Sequence, residues 1–321
     1  MSVDLERLYR RALAWYPKVW REKNADVMVG TLLDVAEADH RTHPRASELA
    51  GLAASGLSTR LGMFLEPSAR NAISTIALAT GVAYPLAYFA IQLWSPWSIT
   101  RDSNWRYAEA VGFNAIVNPG LIFAALWTVA LALALTPRQR GLQSVTAVAI
   151  LASAAFSVVN YFPETRPGWY GLKTTTMVFL ATLGLLVLIG TPIRGRRLVL
   201  CAGVAFVVIA GAYAFTGIAL HSPVDERMFW NSFSGPLALV LGGVTLVAVM
   251  LGITRRTGIA QTITISMAPW VAALLIRFLS HDPWSGLALI GIVGALVGFG
   301  AAIGAAFHRS STVRREDFTR L

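Results

Sequence analysis

Leu198 to Leu220 reads LVLCAGVAFVVIAGAYAFTGIAL, a run without one charged side chain, and Arg194, Arg196 and Arg197 stand just before it. About 20 mostly apolar residues in a helix cross the roughly 30 Å hydrocarbon layer of a bilayer, where each backbone polar group must find its partner within the segment. The run is long enough to span, and its leading flank is cationic. Seven further runs of this kind lie at roughly 72–94, 108–135, 143–162, 172–192, 233–253, 261–280 and 286–307. The chain is therefore expected to be all-α, a polytopic membrane bundle of about eight transmembrane helices.

An even number of crossings puts both ends on one side. The connectors 136–142, 193–197 and 254–260 and the tail 308–321 hold Arg138, Arg140, Arg194, Arg196, Arg197, Arg255, Arg256, Arg309, Arg314, Arg315 and Arg320, whereas the alternate connectors hold Arg101, Arg106, Arg166 and Arg227. Short loops rich in arginine stay in the cytoplasm, so both termini are expected there, with the bundle in the inner (plasma) membrane. Trp94, Trp97, Trp105, Trp169, Trp230 and Trp284 all fall on the arginine-poor side, as indoles that favour the headgroup region would. The arginine-poor tips also pair proline with tryptophan, as in Pro96-Trp97 and Pro283-Trp284. Tight turns at an interface and a hairpin repeat both account for this.

Composition agrees. Of 321 residues 55% are hydrophobic and only 14% charged, with mean hydropathy +0.58, against about a quarter charged in an ordinary soluble domain. The net charge of +10 comes from the loop arginines, so it predicts no direct nucleic-acid contact. Cys201 is the single cysteine, which excludes an intrachain disulfide and a Cys-based zinc or iron–sulfur centre.

Charge is concentrated at the start: 19 of the 44 acidic and basic side chains lie in residues 1–70. That break divides the chain into a cytoplasmic helical prefix (1–66), an eight-helix transmembrane domain (67–307) and a basic cytoplasmic tail (308–321). Residues 1–26 carry ten charged side chains and no apolar core of a signal peptide, so the N-terminus is expected to stay in the cytoplasm. The prefix reads as three amphipathic helices. Leu5, Leu8, Tyr9, Ala12, Leu13 and Tyr16 make one face of the first, which Pro17 ends. Met28, Leu32 and Val35 stripe a second, from about Glu22 to Ala38. After a loop at 40–43, Leu49, Leu52, Ala53, Leu57 and Leu61 face inward from a third, with Gly62 as its stop.

Residues 8–34, LYRRALAWYPKVWREKNADVMVGTLLD, and 44–62, PRASELAGLAASGLSTRLG, resemble the HAAS-like helical prefix of actinobacterial multi-pass membrane proteins. The matching positions are Tyr16-Pro17, Trp20-Arg21, Met28 and Asp34; Asn24-Ala25 stands where the family shows Tyr-Gly. The resemblance implies cytoplasmic coupling to a partner, on permease-like proteins or on regulators linked to PadR-type repressors or sigma-factor control. Trp15, Tyr16, Trp20 and Arg21 are the candidate partner-binding residues. Two readings stand for these aromatics: the core of a sixty-residue domain, or exposed anchors for a cytoplasmic protein. A third places the prefix on the bilayer with arginines at the headgroups.

Signatures of catalysis are missing: there is no G-x-x-x-x-G-K-[ST], H-E-x-x-H or G-x-S-x-G. The chain is expected to be no enzyme and to carry no cofactor and no metal, although His221 and His281 lie near Asp225, Glu226 and Asp282. Polar groups inside spans are costly and so informative. Glu109, Asn114, Asn118, Asn160 and Arg277 are the intramembrane candidates. Asn114 and Asn118 share a helix face before Pro119-Gly120, and Glu109 and Arg277 both fall near the outer leaflet. In the last span Gly294 and Gly298 form a small-xxx-small face, a seam for a homo-oligomer or for packing within the bundle. The expected function is a non-enzymatic membrane regulator whose prefix docks a soluble partner such as a transcriptional regulator. The alternative is a permease or transporter subunit with its path at Asn114 and Asn118.

Overall fold

A computed structural model describes residues 3–93, 119–161, 172–220, 226–253 and 257–280, together with Gly294. Every element among them is helical. The chain separates between Glu66 and Pro67 into two compact units.

In the first unit α1 (Val3–Ala12) carries Asp4 and Glu6 in its first turn and Arg10 and Arg11 in its last, complementing the helix dipole. It tightens into a 3-10 turn, Leu13–Trp15, and Tyr16 is extended (φ −80°, ψ 155°) because Pro17 bars its predecessor from the helical region. α2 (Lys18–Ala38) starts directly behind Pro17 rather than at Glu22, since proline at a helix start sacrifices no hydrogen bond. It closes in a Schellman turn: the Arg41 N–H donates to the Ala36 carbonyl at 2.8 Å and the His40 N–H to that of Glu37 at 2.9 Å, with His40 left-handed at φ 52°. α3 (Ala46–Phe64) runs through Gly62, which does not stop it. A glycine ends a helix only where the backbone turns left-handed, and Gly62 does not.

Leu5, Tyr9, Leu13 and Tyr16 meet Val29, Leu33 and Ala36 of α2 and Leu52 of α3 in the core of this unit. The core stripe of α2 is thus displaced by one residue from Met28, Leu32 and Val35. Adjacent stripes lie only 100° apart on a helix, so Met28 and Leu32 flank the core while Val35 is 49% exposed.

The second unit comprises α4 (Pro67–Tyr88) with a π turn at Phe89–Leu93, α5 (Gly120–Ala134), α6 (Gln139–Tyr161), α7 (Thr174–Ile189), α8 (Arg196–Leu220), α9 (Glu226–Ile253), α10 (Thr257–Ser266) and α11 (Ala268–Ser280). Four segments are long and apolar enough to cross a membrane: Pro67–Ile91, Gln139–Val158, Arg196–Phe215 and Gly258–Arg277. α5, α7 and Val240–Gly252 are shorter apolar helices. The run expected as one span at 261–280 falls largely in the continuous candidate crossing Gly258–Arg277, with one irregular residue, Met267, between α10 and α11, across which the Met267 N–H still donates to the Ile263 carbonyl at 3.3 Å and the Val271 N–H to the Met267 carbonyl at 3.0 Å. Pro269 is the physical cause of the irregularity, because it lacks the N–H that would continue the ladder.

α4 packs against α5, α7, α8 and α10 and is the most buried of the four long segments. Its small residues allow this, since close helix approach without a hydrophobic driving force needs small side chains. Gly81 leaves room for the indole of Trp127, which occupies the space a Cβ would take. Near the start of α4, Asn71 Oδ1 accepts from the N–H and hydroxyl of Thr191 at 3.0 and 2.9 Å, Thr75 Oγ1 accepts from the Ile193 N–H at 2.9 Å, and the Ser74 hydroxyl donates to the Val187 carbonyl at 2.8 Å. These bonds join the start of α4 to the end of α7, so the two run antiparallel. Leu151, Val158, Val204, Val207, Val208, Phe215, Leu246 and Met250 are 60–73% exposed on α6, α8 and α9. Such an apolar perimeter suits lipid rather than water.

Candidate functional site

The four candidate partner residues of the first unit do not form one patch. Tyr16 is 3% exposed and belongs to the core. Trp20 stacks on it with ring centroids 4.1 Å apart and planes at 24°, half-buried, and Arg21 beside it is half-buried too. Trp15 points the other way and is 53% exposed. Its backbone is held fast: Arg60 donates from Nε to the Trp15 carbonyl at 2.6 Å and from Nη2 to the carbonyls of Ala14 (2.8 Å) and Tyr16 (3.3 Å). One guanidinium thereby satisfies three carbonyls that the end of a helix leaves unpaired.

The outer face of α2 forms a second surface. Trp20, Asn24, Val27, Thr31 and Val35 recur at helical spacing opposite Val29, Leu33 and Ala36. Val27 is 74% exposed. The polar members bond within their own helix, Asn24 Nδ2 to the Trp20 carbonyl at 3.0 Å and the Thr31 hydroxyl to the Val27 carbonyl at 2.9 Å. The face thus offers a partner an apolar stripe with few unmet polar demands.

A charged lock fixes this frame. The Tyr9 hydroxyl donates to Glu48 Oε2 at 3.0 Å, and Arg41 reaches Glu48 Oε1 at 2.9 Å and Asp39 Oδ2 at 3.1 Å. The Schellman turn at His40 aims Arg41 at both acids. The Arg41 guanidinium holds the Glu48 carboxyl below the usual carboxylate range, and burial pushes the Tyr9 hydroxyl up.

Inside the second unit a cluster that the sequence did not advertise joins four helices. The Tyr84 hydroxyl lies 3.1 Å from both the Thr176 and the Tyr213 hydroxyls, and the Trp230 indole N–H donates to Thr176 Oγ1 at 2.9 Å. Phe179, Phe229 and Trp270 wall it in, with Tyr213 and Phe229 stacked at 3.9 Å. Trp230, one of the indoles expected near the headgroups, is 2% exposed and packed among the helices. Its N–H is satisfied by the Thr176 hydroxyl, as a buried indole requires. The available signal was polar-tipped residues at Tyr84, Thr176 and Tyr213 inside apolar runs.

Glu109, Asn114, Asn118, His221 and His281 lie outside the described residues, as does the last span apart from Gly294. Asn160 belongs to the backbone of α6, and Arg277 is half-buried in the last turn of α11. Among the described residues no group of three His, Cys, Asp or Glu is placed to hold a metal ion. In α10, Thr262 and Thr264 back-bond to the carbonyls of Gly258 and Ala260 at 2.8 Å, whereas the buried Ser266 hydroxyl has no partner among the described residues. No protein-family model, curated protein or solved structure matches this chain.

Proposed function

We propose that the chain is a non-enzymatic, multi-pass membrane regulator. An eight-span bundle with both termini in the cytoplasm carries the first unit, and the outer face of α2 docks a soluble protein partner. The resemblance to HAAS-like prefixes supports a transcriptional regulator as that partner. The observation that carries the reading is the exposure of Val27 and Val35, with the half-buried Trp20 at the head of the same stripe, on a helix whose opposite side is engaged in a core. A folded unit that leaves an apolar stripe in water gains by covering it, and a partner helix fits such spacing. The arginine distribution supports the orientation. The fully buried Trp127, Tyr84, Phe123, Phe179 and Tyr213 fill the bundle, which favours an anchor over a conduit.

The test uses full-length protein in its native membrane with a photo-crosslinking residue at Val35. A discrete adduct is expected, and Val27→Asp should abolish it by costing about 2 kcal/mol of binding, roughly thirtyfold. An undiminished adduct in Val27→Asp rejects the surface.

The permease reading draws on the irregular turn at Met267 and the buried Ser266 hydroxyl beside it, because transporters present polar groups where a crossing helix departs from regular geometry. A phenotype lost in Ser266→Ala but intact in Val27→Asp favours that reading.

A further inference from the structure

We infer that the outward face of α1 and of the 3-10 turn after it, formed by Arg7, Leu8, Arg11 and Trp15, docks on the anionic headgroups of the bilayer that α4 crosses. The inference rests on the reading of α4 as a membrane crossing. It concerns a different helix face from the one assigned to the protein partner.

Three observations converge. The first is geometric: Arg7, Leu8 and Arg11 share one exposed arc of α1, away from the buried Leu5 and Tyr9, and Trp15 is exposed in the 3-10 turn that continues it. Leu8 is 39% and Trp15 53% exposed, and Arg60 holds the Trp15 backbone rigid, which leaves little ordering cost on docking. The second is charge. Arg10 is committed to Glu6 at 2.8 Å and Asp26 at 2.9 Å, and Arg41 to Glu48 and Asp39. Among the described residues Arg7 and Arg11 have no carboxylate within ion-pair distance, and Arg60 adds a cation whose bonds there go to carbonyls. Asp4 is the one acid on the arc, at its amino-terminal end. Unpaired arginines interleaved with Leu and Trp make the chemistry of an interfacial helix, cations at phosphates and apolar groups at the acyl boundary.

The third is the tether. Only Leu65 and Glu66 separate the end of α3 from Pro67, the first residue of α4. An acidic protein would match the charge as well. The bilayer, however, is held at high effective concentration by the chain itself.

The experiment uses full-length protein with Cys201→Ser, because Cys201 is exposed, and Leu8→Cys carrying an environment-sensitive NBD label. It is reconstituted in phosphatidylcholine vesicles with or without about 30 mol% phosphatidylglycerol. The expected result is a blue-shifted NBD emission, quenched by doxyl-labelled lipid, in the anionic vesicles only, reversed by about 0.5 M salt. Arg7→Gln and Arg11→Gln should each lower the docked-to-free ratio about fivefold; neither side chain has an ion pair among the described residues, so the fold is preserved. Equal emission in neutral and anionic vesicles overturns the inference. So does an equal shift produced by soluble polyglutamate over neutral vesicles, which assigns the face to an acidic protein. Protein that fails to enter vesicles at all rejects the membrane reading of α4 itself, and the inference with it.

Discussion

The indole N–H of Trp230 donates to Thr176 Oγ1 at 2.9 Å, tying the start of α9 to the start of α7 within an aromatic enclosure. The bond matters because neither group meets water there. Thr176→Val leaves a buried donor unpaired, whereas Trp230→Phe removes the donor and keeps a ring. A double-mutant cycle between them, read by unfolding in mixed micelles, should give a coupling of about 0.6–1.7 kcal/mol. Additive single effects would show that the contact is not formed.

Gly81 and Trp127 constitute a size-matched pair. Since the indole fills the space of a Gly81 Cβ, Gly81→Ala should destabilise the bundle by about 1–3 kcal/mol through overpacking. Trp127→Leu in the same chain should restore part of that loss. Thermal unfolding in detergent measures both, and a neutral Gly81→Ala would refute the close approach.

Arg60 should act on its neighbours' backbone rather than on a charge partner. Arg60→Met is expected to speed amide exchange around residues 16–20 about fivefold, as the loss of about 1 kcal/mol of local bonding would. Arg60→Lys should rescue only partly, because a point donor cannot span three carbonyls as a planar fork does.

Acid should loosen the first unit through Glu48. Its folded pKa is depressed, so its contribution is present above the unfolded value of about 4.3 and is lost as pH falls through the folded value. Tyr9, with a raised pKa, contributes below about 10 and loses that contribution as pH rises through its folded value. Hydrogen exchange of α1 and α3 against pH should show both limbs, and Glu48→Gln should flatten the acid one.

His40 sits left-handed where glycine is favoured. His40→Gly should therefore stabilise the first unit by about 1 kcal/mol, provided the entropy cost of glycine stays smaller than the strain relieved. Local hydrogen exchange at the end of α2 measures it.

Much was legible in the sequence because it depends on neighbours along the chain. The helical class follows from apolar runs of membrane length, the end of the first helix from Pro17, and most of its core face from Leu5, Tyr9, Leu13 and Tyr16, whereas Leu8, read on the same face, is 39% exposed. The parts that depend on contacts between distant segments were not legible. Which stripe of α2 turns inward was decided by α1 and α3, because stripes 100° apart look equally apolar in sequence. Tyr16 and Trp15, adjacent in the chain, were sent to opposite environments by the 3-10 turn and the Arg60 clamp. That Trp230 is bonded inside the bundle was not legible from its neighbours in the chain, because its partner Thr176 is more than fifty residues away. Local periodicity and charge determined which segments form helices and which of them suit a membrane. Only the tertiary structure decided where each polar tip finds its partner, because a buried hydrogen bond needs two groups that the sequence keeps apart.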